Sequence, residues 1–264
     1  MTRRINLNAD IAEGWGAWDI GDDPALMRVI GSASIACGFH AGDHMTMHRI
    51  VMLAKDLGVS IGAHPGFNDL WGFGRREIRM PAADIEYMTA YQIGALQAIG
   101  QYGGLKVTHL KAHGALSNMA AVDEGYAMAI GRAIKAVDAD IIYVALAGSE
   151  MEKAALKLGL RLAREGFADR QYEEDGNLAS RKIAGTVYRE PKAAVDQALR
   201  MVEHGEVIAR SGKCIKVQVD TICVHGDEPS AVAVAKAVRA GLQEAGVKLL
   251  TLPQLLAVPG VRDE

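Results

Sequence analysis

The chain has 264 residues, is 50% hydrophobic and 23% charged, and carries a formal net charge of −3. That size and composition fit one large α/β domain spanning residues 1–264, and the charge provides no basic footprint for nucleic acid. No run of about 18 apolar residues could span a membrane, and MTRRINLNAD enters a strand without the apolar core of a signal peptide, so a cytoplasmic protein is expected. Strand-like runs occur at 4–9, 32–39, 59–63, 105–112, 140–146, 160–164 and 215–224. Helical spacing of apolar residues fills most of the gaps, over 43–57, 81–102, 119–136, 148–158, 191–204 and 229–245. Gly58 stops the first of these and Gly103-Gly104 the second, while Pro81 and Pro229 suit first helical turns.

Strands alternating with helices imply parallel strands joined by helical crossovers. Two architectures satisfy this pattern, a (β/α) barrel of seven repeats and an open doubly wound sheet. The barrel is favoured because chemically capable residues follow most of the strands, whereas an open sheet gathers its site at one switch point. The loops at 64–80 and 165–189 are longer than ordinary connections, as binding loops and lids often are.

The strand ends carry the chemistry. NADIAEG brings Asp10 and Glu13, suited to acid/base work or to metal ligation through oxygen. ACGFHAGD brings His40 and Asp43, the latter also able to cap the next helix. IGAHPG brings His64, and the loop after it holds Arg75 and Arg76, which suit an anion. HLKAHGA brings Lys111 and His113, two residues apart on one side of a strand. EGFADR adds Glu165, Asp169 and Arg170, and VDTICVHGD adds Asp220, His225 and Asp227. Buried imidazoles and carboxylates are costly, so a set of them at successive strand ends reads as one pocket. His44 and His48 lie four apart on a helix but lack the HExxH pattern, and His48 reads as part of a solvated face. Cys37, Cys214 and Cys223 lack metal-finger spacing and read as free thiols, Cys37 and Cys223 buried in strands. The chain has no GxxxxGK[ST] loop, no strand–GxGxxG–helix unit and no GxSxG elbow. Acid/base chemistry at a carbonyl, with or without a metal, is what remains.

The blocks INLNADIAEGWG, SASIACGFHAGD, GVSIGAHPGFNDLWGFGRR, HLKAHGAL, EGFADRQY and VDTICVHGD resemble, in order and over nearly the whole chain, the signature blocks of the LamB/YcsF lactam-utilisation family (the A subunits of 5-oxoprolinase). The resemblance implies a barrel related to the glycoside hydrolase/deacetylase superfamily. It also implies ATP-dependent opening of 5-oxoproline (pyroglutamate) to L-glutamate, together with two companion subunits. The family's polar positions fall on Asp10, Glu13, His40, Asp43, His64, Arg75, Lys111, His113, Glu165, Asp169, Arg170, Asp220, His225 and Asp227. Among them Asp10 or Glu13 is the expected general base. His64 and His113 are expected to steer water or protonate the ring nitrogen, and Lys111 and Arg75 to hold developing negative charge. The remaining residues are expected to bind substrate. ATP is expected on a partner, since this chain lacks a phosphate loop. The superfamily's metal set, an Asp and two His, would fall on Asp10, His40 and His64, which leaves a divalent ion open. Where the family reads KPHGALYN, this chain has KAHGALSN, so Ala112 and Ser117 depart from it. Two other functions compete: a stand-alone metal-dependent amidohydrolase or deacetylase, and a non-catalytic regulatory subunit.

Overall fold

The computed structural model describes residues 3–225 and 230–257. The first strand, β1 (Arg4–Ile11), alternates between apolar Ile5, Leu7, Ala9 and Ile11 and polar Asn6, Asn8 and Asp10, and both sets are buried. Both faces of the strand are therefore covered, one by helices and the other by the barrel interior. The chain continues through α1 (Asp23–Met27), β2 (Ser32–Ala36), α2 (His44–Leu57), β3 (Ser60–His64), α3 (Ala82–Gly103) and β4 (Val107–Lys111). Next come α4 (Gly114–Val122), α5 (Glu124–Val137), β5 (Ile142–Leu146), α6 (Glu150–Leu158), β6 (Leu162–Phe167) and α7 (Pro191–His204). The last part holds β7 (Glu206–Ile208), β8 (Cys214–Lys216), β9 (Thr221–Cys223), α8 (Ala231–Glu244), β10 (Lys248–Leu249) and α9 (Leu252–Leu256).

Seven of these strands close into a barrel in the order β1-β2-β3-β4-β5-β6-β9, every pairing parallel. Closure is made by β9 against β1, with Asn6 opposite Thr221 and Asn8 opposite Cys223. Outside the barrel wall, β10 pairs with the entry of β1, and β7 and β8 form a separate antiparallel hairpin. The expected strand over 215–224 is thus two elements. Cys214–Lys216 belongs to the hairpin, and only Thr221–Cys223 joins the barrel. The expected helix over 119–136 also divides. It begins at Gly114 and breaks at Asp123, whose carboxylate caps α5 by accepting from Tyr126 N. The stops after α2 and α3 fall at Gly58 and Gly104.

The barrel interior is polar and cross-linked. Asn8 donates to Glu165 Oε1 at 3.0 Å and to Thr221 Oγ1 at 2.7 Å, and Lys111 Nζ donates to Asn8 Oδ1 at 3.3 Å. Because β1 neighbours neither β4 nor β6, the bonds to Glu165 and from Lys111 cross the barrel itself, while the one to Thr221 joins the adjacent strand β9. Below them, Thr221 donates to Asn6 Oδ1, and Asn6 donates to Ser32 Oγ. Such a network keeps its buried polar groups paired and holds the residues above it in fixed positions.

His109 is buried in this interior, with Nδ1 2.9 Å from Thr108 Oγ1, and its ring packs where a Cβ on Gly62 would stand. Gly62→Ala would push a methyl group into that ring. The expected result is a loss of roughly 1–3 kcal/mol, read as a lower urea midpoint at unchanged slope. Burial, and then the neighbouring Lys111, lower the His109 pKa to about 3 from an ordinary value of 6.5. Below pH 6.5 the unfolded chain therefore binds a proton that the native state refuses, and stability falls as the pH falls. Between pH 7 and pH 5 this should remove about 2 kcal/mol. The acid sensitivity of His109→Asn should be smaller by that amount, and equal sensitivity in both proteins would refute the assignment.

Candidate active site

Parallel closure places the ends of β1, β3, β4, β6 and β9 on one face, and a cavity of about 470 Å³ opens there. Asp10, His64, Lys111, His113, Arg75, Arg170 and His225 line it. The floor is built around a buried ammonium. Lys111 Nζ lies 3.0 Å from Asp10 Oδ1, 2.9 Å from Glu165 Oε1 and 2.9 Å from Cys223 Sγ. Burial opposes the charge on Lys111, but Asp10, Cys223 and Glu165 hold its pKa well above the ordinary lysine value. Burial likewise opposes ionisation of Asp10, and His64 and Lys111 overcome it, keeping this carboxyl well below its usual range. Glu165 goes the other way: burial raises its pKa despite Lys111. The two carboxylates on one lysine are thereby made unequal, Asp10 a firm anion and Glu165 the easier one to protonate. Burial raises the Cys223 thiol well above its ordinary value and Cys37 to about 12, so both are inert thiols.

A second cluster adjoins the first. Glu13 Oε1 is 3.1 Å from His40 Nε2 and 3.2 Å from His113 Nδ1, and His64 Nε2 is 3.4 Å from Asp10 Oδ2. His40 and His113 stack face to face, with centroids 3.6 Å apart. Two strained backbone positions support this arrangement: Ala12, with φ 64°, immediately precedes Glu13, and Phe73, with φ 52°, turns its carbonyl toward His113 Nε2 at 2.8 Å. Left-handed non-glycine residues persist where the surroundings over-determine them, commonly at functional sites. Burial, and then His113, lower the His40 pKa to about 3 against the opposing pull of Glu13. For Glu13, the neighbouring imidazoles of His113 and His40 outweigh burial, and its pKa falls far below the ordinary value.

On the far side, Asp169 grips His225 Nδ1 at 2.8 Å, and Phe167 stacks on the His225 ring. Arg170 is buried, with its pKa lowered by burial and by Arg181 to about 10. Together with Arg75, Arg181 and Lys182 it gives the cavity a cationic wall. Arg75 lies against the Phe73 ring, whereas its neighbour Arg76 is tied to Asp69.

The structure therefore brings together most of the residues singled out from the sequence. His40 is buried behind the cavity, against Glu13 and His113, and does not line it. Two expected substrate-binding residues lie elsewhere. Asp43 caps α2 through Met45 N and Thr46 N and accepts from Gly16 N. Asp220 precedes β9 at the opposite end of the barrel and accepts from Arg164 N. Asp227 lies outside the described residues. Sequence reasoning missed Asn8, whose signal was its place two residues before Asp10 on the same strand face. It also missed Arg181 and Lys182, which come from the long loop after β6. Ala112 and Ser117, the two departures from the resembled pattern, both line the cavity. Among the described residues, no helix is long and apolar enough to cross a membrane.

Comparison with known proteins agrees with this architecture. The LamB/YcsF family model matches residues 5–257. A protein of Rhodopseudomonas palustris BisB5, named as the A subunit of 5-oxoprolinase, is 52% identical over 248 residues, covering 94% of this chain and 98% of the relative. The crystal structure of the lactam utilization protein from Thermus thermophilus matches with TM-score 0.89 and 42% identity, over 94% of this chain and 100% of that one. The catalytic domain of a peptidoglycan N-acetylglucosamine deacetylase from Eubacterium rectale shares the fold alone, with TM-score 0.51 and 12% identity over 96% of this chain and 89% of that one. Matched along nearly its whole length, the chain belongs to the LamB/YcsF family.

Proposed function

We propose that this chain is the A subunit of an ATP-dependent 5-oxoprolinase, opening 5-oxoproline or a related lactam to L-glutamate with companion subunits. Relatives at about half identity carry the name of that 5-oxoprolinase component. The observation that carries the reading is the cavity itself, where an ionised Asp10 paired with Lys111 faces a wall formed by Arg75 and Arg170. A lactam amide is a poor electrophile with a poor leaving group. Its carbonyl becomes reactive once a companion protein has moved a phosphoryl group from ATP onto the carbonyl oxygen. Asp10 then takes a proton from water as the water oxygen bonds to the carbonyl carbon. The C–N bond of that adduct breaks as the ring nitrogen takes a proton from the imidazole pair His64 and His113, leaving an acyl phosphate, and a second water adds to its carbonyl carbon and releases inorganic phosphate and the carboxylate of glutamate. Lys111 holds the developing negative charge at the centre, and Arg75 and Arg170 hold the anionic groups of the substrate. Glu165, Asp169 and His225 fix the positions of Lys111 and the far wall. A divalent ion in the His/Glu cluster, when bound, supplies Lewis-acid polarisation of an oxygen; Glu13, His40, His64 and His113 offer buried ligand atoms close enough to share one ion.

That cluster is also the observation favouring a second reading, a stand-alone metal-dependent amidohydrolase. Measuring glutamate release from 5-oxoproline, with and without ATP and the companion subunits, separates the two. The proposal expects turnover only from the full set, and no ATP hydrolysis by this chain alone. Lactam opening by the isolated chain without ATP, abolished by a chelator, would replace it with the second reading.

A further inference from the structure

The hydrogen bonds around His64 and His113 determine where their ring protons sit. His64 Nδ1 is 2.7 Å from the carbonyl oxygen of Lys111, and His113 Nε2 is 2.8 Å from that of Phe73. A carbonyl only accepts, so each of those nitrogens carries the hydrogen. In the neutral rings the other nitrogens, His64 Nε2 and His113 Nδ1, present bare lone pairs, and they face each other at 3.0 Å. Glu13 Oε1, another lone-pair donor, stands 3.2 Å from His113 Nδ1 and 3.9 Å from His64 Nε2. With both rings neutral, three buried lone-pair atoms thus converge with no hydrogen among them. A single shared proton bridges one of these contacts at a time, whereas a cation between the three atoms satisfies them all.

The spacing fits a metal. Three ligands on a tetrahedral ion, at bond lengths of about 2.0–2.1 Å, stand roughly 3.3–3.4 Å from one another, and the observed separations of 3.0, 3.2 and 3.9 Å bracket that value. Both histidines also donate their second nitrogen to a backbone carbonyl, the outer-shell arrangement typical of metal-bound imidazole. Both line the cavity, so an ion held there borders the substrate space.

We propose that Glu13, His64 and His113 form a two-histidine, one-carboxylate centre for a divalent transition-metal ion of the zinc type, open toward the cavity. His40 serves it from behind, with Nε2 3.1 Å from Glu13 Oε1 and its ring stacked on His113. Asp10 Oδ2 is 3.4 Å from His64 Nε2, but Asp10 does not fall within the set of mutually close ligand atoms that holds Glu13, His64 and His113, and its Oδ1 is paired with the Lys111 ammonium, whose charge opposes a second cation beside it, so it is not counted as a ligand. The set therefore differs from Asp10, His40 and His64, the positions suggested by superfamily resemblance.

The test measures metal and needs no lactam, ATP or partner, so it fails or succeeds separately from the proposed function. The purified chain is stripped with a chelator, reconstituted with Zn²⁺ or Co²⁺ and assayed for bound metal, with the visible spectrum of the Co²⁺ form recorded. About one ion per chain is expected, with a low-symmetry Co²⁺ spectrum. Glu13→Gln and His113→Ala should lower affinity by roughly 100-fold or more, while Asp10→Asn and the surface variant His48→Ala should bind as wild type does. Circular dichroism establishes that each variant is folded, and the wild-type Co²⁺ spectrum decides the matter if one is not. No stoichiometric binding by wild type, undiminished binding by folded Glu13→Gln and His113→Ala, or loss of the ion in folded Asp10→Asn would overturn the proposal.

Discussion

Asp10→Asn is expected to lower turnover of the assembled lactam-opening complex by roughly 10²–10⁴-fold, the usual contribution of a general base. The substitution nearly preserves shape but removes the negative charge that His64 and Lys111 maintain against burial. His113→Ala should cost about as much, because it removes one of the cavity imidazoles together with its hydrogen bond to Phe73 O and its contact with His64. The control is His48→Ala, exposed on α2 and touching only the ring of Tyr102 among the aromatic contacts; its turnover should stay near wild type. The three variants are measured side by side in the complete complex. Full activity in Asp10→Asn, or equal damage from His48→Ala, would refute the site.

The largest expected effect on stability comes from Lys111→Met. The methionine fills similar space but leaves Asp10 and Glu165 buried at the barrel centre without their shared counter-charge. Breaking a buried ion pair from one side costs about 3–5 kcal/mol, since the stranded charge must be neutralised or carried unpaired. Protonation relieves part of that cost, so the loss should be greater at pH 8 than at pH 5. Adding Asp10→Asn to Lys111→Met removes one stranded carboxylate and should recover part of the stability. Urea denaturation of the two single variants and the double variant gives the coupling directly. Additive effects would mean that Lys111 and Asp10 do not depend on each other.

The barrel was legible in the sequence because its strands are apolar runs ending in residues too costly to bury without a purpose. His64, Lys111 and His225 each announced a strand end facing the same space. Asp43 and Asp220 carry the same side chain as Asp10, yet one caps a helix and the other lies at the entry of β9. Only three-dimensional placement separates these roles. The division of 215–224 was hidden because hairpin and barrel strand follow each other within one β-rich stretch. The short elements α1, β7, β10 and α9 contain at most five residues each, too few for periodicity to register. Asn8 looked like an ordinary strand residue; its importance comes from bonds to β6 and β9, 157 and 213 positions away.

Those distances also govern the order of events during synthesis. Strand β1 leaves the ribosome before the other barrel strands, yet one of its two barrel neighbours, β9, is the last of the seven to be made. Until Thr221–Cys223 emerges, the nascent chain holds an open sheet whose β1 and β6 edges lack a partner. Unpaired edges of this kind invite association with other chains, and such long-range closure is slow. Lys111 and Asp10 also wait for Cys223 and the Asn8–Thr221 bond before their surroundings are complete. Chains arrested short of β9 should therefore aggregate rather than accumulate as partly active barrels, and the catalytic floor should form in the same step that seals the sheet.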